Sequence, residues 1–301
     1  MYNFGINSLC LFDHKENIRL IIYKNTEQIS LYTERLILFM NNYSLIIIQT
    51  IYFSTSKLIS NLGLFNNNKT IYVLHNLLFY NKLNFSRTKY KNRVWTLTHF
   101  SVGLQVTPYY IGKTKLKDKN YITSFFIIST GHRNYKYLIT AAERLKEENF
   151  DFLVYVIGYR KTFSINDINE KIKNNFIFNY RVNFSTLYNV VDNSDYIIIN
   201  LDPDKDKNFK DKKVTGAAQL SLGFIKPILI NTAFKSIYNR TKENSFLFDK
   251  SNFYNVMKDA IKLNNRGYKN MQKNLLELTR KIHEISVINI KKTLNSLLFN
   301  Q

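Results

Sequence analysis

The chain has 301 residues, of which 45% are hydrophobic, including 23 Phe and 21 Tyr. This length allows two domains of ordinary size, and this apolar content supports a buried core and excludes a disordered chain. A single cysteine, Cys10, excludes an internal disulfide, and the five histidines show no spacing that fits structural zinc. We therefore expect no metal site and a reducing compartment.

The net charge is +21, from 43 Lys and Arg against 22 Asp and Glu. Such an excess favours a polyanionic partner, either nucleic acid or the anionic face of a membrane. It also has a compositional explanation, because the chain is rich in Lys, Asn, Ile, Tyr and Phe and poor in Gly and Pro, as an AT-rich genome would produce. There is no Arg-rich tract and no Gly/aromatic RNA motif, so we expect no nucleic-acid partner.

The first 20 residues contain Asp13 and Glu16 and no sustained apolar run, which argues against a secretory signal. The longest apolar stretch, residues 43–53, is too short to span a bilayer. The sequence therefore predicts a cytoplasmic protein, and its basic residues offer peripheral contact with the inner face of an anionic membrane.

Strand-like and helix-like patterns alternate along the chain, which is typical of parallel α/β units. Near-continuous apolar runs predict strands that are covered on both faces. In the first third, the predicted strands are residues 18–23, 45–49, 70–74 and 94–97, and the predicted helices are residues 28–40 and 54–64. Pro108, Gly112 and the charged stretch 113–120 indicate a linker, so we place a domain boundary near residue 115.

The second half shows five further βα units, followed by a helical tail. The predicted strands are residues 124–129, 152–157, 176–180, 196–200 and 227–230. The predicted helices are residues 135–147, residues 185–191 with Ser185 as N-cap, and one that begins near Val214. Residues 269–301 form one or two helices whose apolar stripe packs on the body of the protein: Met271, Leu275, Leu278, Ile282 and Ile285.

Two turns carry the residues best suited to bind a phosphorylated ligand. Residues 131–136 (GHRNYK) lie between a predicted strand and a helix, where the basic pair Arg133 and Lys136 suits a diphosphate. Thr215 and Gly216 lie at the predicted start of a helix whose backbone N–H groups point toward the carboxyl ends of the strands. A solvated loop is the simpler explanation of the first turn taken alone.

The acidic segment Asp202-Pro-Asp204-Lys-Asp206 has several explanations. An Asp-x-Asp after a strand holds a divalent metal in GT-A glycosyltransferases, but four βα units precede this one and lysines surround it. A calcium loop is excluded because Lys213, not Glu, stands at the twelfth position. We favour a solvated charged loop.

The order and spacing of these pieces resemble the C-terminal, donor-binding domain of GT-B glycosyltransferases. The resemblance is strongest to the large retaining, nucleotide-sugar-dependent family (group 1, or family 4-like), and it covers residues 124–260. Residues 72–76 (YVLHN) and 106–110 (VTPYY) resemble that family's strand-then-His element and the segment that enters its linker.

The resemblance implies two Rossmann-like domains with parallel sheets facing a central cleft. The first (residues 1–115) would be a short acceptor-side domain, and the second (residues 116–268) would bind the donor. Residues 269–301 would be a tail helix that crosses back to the first domain. It also implies a nucleoside-diphosphate sugar as donor, no cofactor, and a glycan or lipid-linked acceptor.

The same resemblance assigns roles to individual residues. His75 would face the transferred sugar as the catalytic candidate. Five residues would bind the donor diphosphate: Arg133, Lys136, Thr215, Gly216 and Ala217. Five others would lie along the nucleotide: Gly131, Gly158, Arg181, Val182 and Gln219.

The chain departs from the family at two glutamates that usually stand eight positions apart around this helix. The neighbouring positions of this chain are Lys213 and either Gln219 or Leu220, so neither glutamate is present. Three hypotheses therefore remain open. The chain is a glycosyltransferase of polysaccharide or glycoconjugate synthesis, a non-catalytic accessory protein of the same fold, or a basic α/β protein that binds nucleic acid. His75 is alternatively a structural histidine at a strand end.

Overall fold

The computed structural model describes residues 46–49, 70–74, 93–98, 100, 103–107, 116–129, 133–158 and 163–299. The described residues fall into two compact units. The first lies within Met1–Pro108, Lys212–Val214 and Ile282–Gln301, and the second within Tyr109–Asp211 and Thr215–Lys281. The predicted elements at residues 18–23, 28–40 and 54–64 lie outside the described residues.

The described part of the first unit contains a four-stranded parallel sheet in sequence order. Its strands are β1 (Ile46–Gln49), β2 (Thr70–Leu74), β3 (Val94–Thr96) and β4 (Leu104–Gln105). The predicted strand at 70–74 is confirmed at both ends, and those at 45–49 and 94–97 are confirmed to within one residue. Every residue of β2 and β3 is buried, as near-continuous apolar strands require.

The second unit is built on a six-stranded parallel sheet of order β10-β9-β8-β5-β6-β7. Its strands are β5 (Thr123–Ser129), β6 (Phe152–Gly158), β7 (Phe176–Tyr180), β8 (Tyr196–Ile199), β9 (Ile228–Asn231) and β10 (Ser245–Phe248). The α-helices are α1 (Lys136–Glu147), α2 (Phe184–Asn193), α3 (Gly216–Phe224), α4 (Phe253–Lys262) and α5 (Asn265–Phe299). In the part of the chain that the structure describes, no helix is long and apolar enough to cross a membrane.

The prediction for this unit is confirmed for five strands and is wrong in two places. It omitted β10 and α4. For β10 the reason is that a four-residue apolar run such as Ser245–Phe248 does not distinguish strand from helix by its periodicity. Ser185 is not the N-cap of α2. The helix begins one residue earlier, and the Asn183 side chain accepts a hydrogen bond of 2.8 Å from the Thr186 N–H.

The tail is a single helix, α5, whose buried face includes Met271, Leu275 and Ile282 of the predicted stripe together with polar residues outside it. Ile285 is 44% exposed, whereas four polar side chains spaced seven residues apart are buried: Gln272, Thr279, Ser286 and Thr293. Each of them is hydrogen-bonded; Ser286 Oγ, for example, accepts from the Thr107 N–H at 3.1 Å. Apolar periodicity does not reveal these four positions, because polar residues can be buried once their polar atoms have hydrogen-bond partners.

Two of these polar residues belong to the first unit, where α5 completes the core. Trp95 Nε1–H donates a hydrogen bond of 2.9 Å to Thr293 Oγ1. Ile290 packs in one apolar cluster with Ile71, Val73 and Trp95. The last part of the helix is therefore an integral part of the first unit.

A buried carboxylate, Asp195, joins the amino ends of β5 and β8. Its Oδ2 accepts hydrogen bonds from the Ser124 N–H at 2.8 Å and the Ser124 hydroxyl at 3.0 Å. Its Oδ1 accepts the Asn120 N–H at 2.9 Å, and its own N–H donates to the Ser124 carbonyl at 3.0 Å. The Tyr268 hydroxyl donates to the Asp195 carbonyl at 2.8 Å. These bonds fix the two central strands side by side.

We expect Asp195→Ala to lower the free energy of unfolding by about 3 kcal/mol, because it leaves the buried Ser124 N–H and the more exposed Asn120 N–H without their acceptor. Urea denaturation followed by circular dichroism measures the change. Asp151→Ala, at an exposed position before β6, is the control and should change stability by less than about 0.5 kcal/mol. Equal midpoints for the Asp195 variant and the wild type would contradict this role.

Candidate functional site

The candidate site lies where the strand order of the second unit reverses. After β5 the chain builds β6 and β7 on one side of that strand, and then β8, β9 and β10 on the other side. All six strands are parallel, so their carboxyl ends share one edge. The segments after β5 and β8 diverge at this point, and in open α/β sheets such crevices bind ligands.

Two side chains join the segments that follow β5 and β8. The Asn200 amide Nδ2 donates to the Asn134 carbonyl at 3.1 Å, and the Tyr137 hydroxyl donates to Asn200 Oδ1. Burial raises the pKa of Tyr137, so its hydroxyl stays protonated and acts as a donor. These two hydrogen bonds hold the segment that follows β5 against the segment that follows β8.

Arg133 extends from the β5 turn into this edge and forms an ion pair with Asp206. The two side chains are only 15% and 20% exposed. The guanidinium carbon Cζ also lies 5.2 Å from the centroid of the Phe209 ring. Arg133 therefore contacts the acidic segment that follows β8 with both its charge and its flat face.

The other two carboxylates of the acidic segment pair with a lysine. Lys250 Nζ lies 2.5 Å from Asp204 Oδ2 and 3.4 Å from Asp202 Oδ1. Hydrogen bonds from backbone N–H groups, chiefly that of Asp204, lower the pKa of Asp202. Within the described ranges, no group of three or more His, Cys, Asp or Glu is placed to hold a metal ion. Of the three, Asp204 fits a solvated loop best, with a side chain 74% exposed.

Thr215 lies at the start of α3, as the sequence predicts; it is the N-cap, and its Oγ1 accepts from the Ala217 N–H at 3.4 Å. The Thr215 N–H donates to the Tyr238 hydroxyl at 3.2 Å. Two of the three backbone donors assigned to phosphates therefore already have partners inside the protein. The third belongs to Gly216, which is exposed and beside which an added Cβ would meet no atom within 4 Å.

Tyr238 connects the start of α3 with Arg133. Its ring is buried, with 6% exposure. Burial raises the pKa of its hydroxyl, while the hydrogen bond from Thr215 and the positive charges of Arg133 and Arg240 oppose that rise. The helix start and the Arg133–Asp206 pair thus interact with one hydroxyl group.

The remaining described candidates lie on the same edge or on the helices that follow it. Lys136 is the exposed first residue of α1, and its N–H donates to Asn134 Oδ1 at 3.0 Å. The Arg181 N–H donates to the carbonyl of Gly158 at 2.8 Å, and Arg181 adopts a left-handed conformation with φ 54°. This bond joins the ends of β6 and β7, with Val182 half-buried beside it. On α3, Gln219 Nε2 is buried and has no hydrogen-bond partner among the described residues.

His75 and Gly131 lie outside the described residues, so their assignments stay predictions. Sequence reasoning missed Asp206 as the partner of Arg133, and Tyr238 as the partner of the Thr215 N–H. Arg133 and Asp206 carry opposite charges and follow β5 and β8. The sequence could have indicated this pair if the adjacency of the two strands had been derived. Tyr238 carries no such signal, because it lies in an irregular segment after β9.

Comparison with solved structures identifies the architecture. A glycosyltransferase from Rickettsia africae superposes with a TM-score of 0.62 at 13% identity, covering 94% of this chain and 85% of that one. The fold is that of the GT-B glycosyltransferases. Anabaena HepE in complex with UDP and glucose gives a TM-score of 0.59 at 11% identity, covering 89% of this chain and 82% of that one.

The pneumococcal O-GlcNAc transferase GtfA, in complex with UDP and GlcNAc, matches with a TM-score of 0.60 at 10% identity. That match covers 88% of this chain and 60% of GtfA. A scan against protein-family models found no match, and neither did a search of the curated proteins. The predicted GT-B fold is therefore confirmed by structure rather than by sequence.

We expect Tyr238→Phe to lower the free energy of unfolding by about 1 kcal/mol, because it removes the acceptor of the Thr215 N–H. Thermal and urea unfolding measure the loss. Tyr121→Phe deletes the same hydroxyl from a fully exposed ring, at 103% exposure, and should leave stability unchanged. Equal stability of the two variants would show that the Thr215–Tyr238 bond contributes nothing.

Proposed function

We propose that this chain is a metal-independent glycosyltransferase that transfers a sugar from a nucleoside-diphosphate sugar to a glycan or lipid-linked acceptor. The observation that carries this proposal is that Arg133 and the exposed Gly216 at the start of α3 follow β5 and β8, the two strands at the strand-order reversal of a GT-B fold. Three solved structures of this fold, one of GtfA and two of HepE, contain UDP with a sugar or UDP-glucose. The proposed role is cell-surface polysaccharide or glycoconjugate synthesis, in the cytoplasm and peripherally at the membrane.

The electrostatic task in this reaction is to stabilise the leaving diphosphate. In the proposed complex, Arg133 and Lys136 donate charge-assisted hydrogen bonds to its oxygens. The Gly216 N–H adds the partial positive charge of the α3 amino end. The nucleotide extends toward the ends of β6 and β7, where Gly158, Arg181 and Val182 flank it, with Gln219 on α3.

Bond cleavage at the sugar carbon is assisted mainly by leaving-group stabilisation in this proposal. A double displacement of the glycosidase type uses two carboxylates about 5 Å apart. The carboxylates described near Arg133 are instead paired with Arg133 or Lys250. His75 remains the proposed catalytic group beside the transferred sugar.

A non-catalytic accessory protein is the second candidate, favoured by one specific observation. Arg133 is paired with an internal carboxylate, Asp206. This agrees with the missing glutamate pair, near whose positions Lys213 and either Gln219 or Leu220 stand. Slow hydrolysis of the sugar from a panel of UDP-, GDP- and ADP-sugars distinguishes the candidates. Saturable nucleotide binding without any sugar release would favour the accessory protein.

We expect Lys136→Ala to weaken binding of the preferred nucleoside diphosphate about tenfold, because a charge-assisted phosphate contact is lost. Isothermal titration calorimetry with UDP, GDP and ADP measures the dissociation constants. Lys146→Ala, an exposed lysine at the other end of α1, removes the same charge and should leave affinity unchanged. Folded wild-type protein that binds none of the three nucleotides would refute the proposed function.

We expect Gly216→Ala to weaken nucleotide binding at least about tenfold without lowering thermal stability. The added methyl group meets no atom of the described residues within 4 Å, apart from its own helix and chain neighbours, and alanine favours a helix over glycine by up to about 1 kcal/mol. The methyl would occupy the space through which a phosphate approaches the Gly216 N–H. A stable variant with wild-type affinity would place the phosphate away from the start of α3.

A further inference from the structure

The segment 202–211, which we name the acidic loop, covers the arginine that the proposed function assigns to the diphosphate. Asp206 pairs with the Arg133 guanidinium, and the Phe209 ring lies over it. We propose that Asp206 is an internal competitor, whose carboxylate occupies the place of a donor phosphate and withdraws when the diphosphate binds. This inference rests on the proposed function of the site.

The chemistry of the two anions supports this competition. A guanidinium presents a planar set of N–H donors that fits a carboxylate and a phosphate equally well. The Arg133 side chain is 15% exposed with Asp206 in place, which leaves little of it for a second anion. A diphosphate carries more charge than one carboxylate, so it can displace Asp206 from the same donors.

The acidic loop is built to hold its shape by itself. The Asp206 N–H donates to the Asp202 carbonyl at 2.7 Å, and the Asp202 N–H donates to Asp206 Oδ2 at 2.9 Å. The Asp204 N–H donates to Asp202 Oδ1 at 2.9 Å. Asp206 is therefore presented to Arg133 by a closed turn rather than by a flexible side chain alone.

Moving the acidic loop away from Arg133 would expose no buried residue of the loop itself. None of residues 202–211 is buried, and the Lys250 pairs that hold Asp202 and Asp204 involve a lysine side chain 57% exposed. Ion pairs and turns of this exposure open at low free-energy cost. Binding of the diphosphate must then offset the Arg133 contacts and the loss of such surface interactions.

The test compares two variants of the same loop. Asp206→Asn removes the competing charge, while its side-chain oxygen can still accept the Asp202 N–H. Asp204→Asn changes the net charge by the same amount two residues away, at a carboxylate that pairs with Lys250 instead. Calorimetry with UDP, GDP, ADP and inorganic pyrophosphate gives the dissociation constants at one salt concentration.

We expect Asp206→Asn to bind the preferred nucleoside diphosphate about tenfold more tightly than wild type, and Asp204→Asn to change affinity less than about twofold. The gain should vanish when Asp206→Asn is combined with Arg133→Ala, since the competition needs both partners. Phe209→Leu removes the ring that lies over Arg133 and keeps Asp206, so it should tighten binding by about threefold. It replaces Asp206→Asn in the test if that variant is unstable.

Other outcomes reject the inference separately from the proposed function. Wild-type protein that binds a nucleotide, with Asp206→Asn unchanged or weaker, would make Asp206 a positioning residue for Arg133. Equal gains in the Asp204 and Asp206 variants, or a gain that persists without Arg133, would indicate a general charge effect. A protein that binds no probe in any of these variants would overturn the proposed function and the inference together.

Discussion

The buried carboxylate of Asp195 is the constraint on which the second unit depends. Parallel strands that are distant in sequence have no hairpin to set their register, so something else must align β5 with β8. Asp195 does so by accepting hydrogen bonds from Ser124 and Asn120 at the amino ends of the strands. Alignment at one end determines which residues meet at the other end. Arg133 and Asp206 follow the two strands that this carboxylate joins.

The electrostatics of the opposite edge follow from partial burial. A guanidinium as shielded as that of Arg133 is costly without a counter-charge, and Asp206 supplies one. The same burial makes the arginine a strong anion-binding group, because fixed charges interact more strongly where water is scarce. In this structure, the positive charges of Arg133 and Lys250 are balanced by the carboxylates that pair with them. The net charge of the chain therefore says little about the field that a ligand meets here.

The sequence predicted the fold far better than the contacts of the site. Continuous apolar runs mark parallel strands, so the fully buried strand 70–74 and the edge strand 176–180 were correct to the residue, and Thr215 was placed correctly at the start of a helix. The prediction of Ser185 as N-cap was wrong because Asn183, two residues earlier, also has a capping side chain and is the N-cap in the structure. The prediction for Ile285 was wrong because the neighbouring Ser286 is buried instead, and its bond to the Thr107 N–H joins residues that lie far apart in the chain. Asp206 was missed for the same reason: its partner is set by strand order, which no local pattern encodes.

The division of α5 between the two units has a consequence for the order of folding. The second unit ends at Lys281, whereas the core of the first unit includes Ile290 and the Trp95–Thr293 hydrogen bond. A chain that emerges from the ribosome can therefore complete the later unit before the earlier one. Until α5 is synthesised, Trp95 and the apolar residues around it lack part of their cover, and such surfaces are where chaperones bind and aggregation begins.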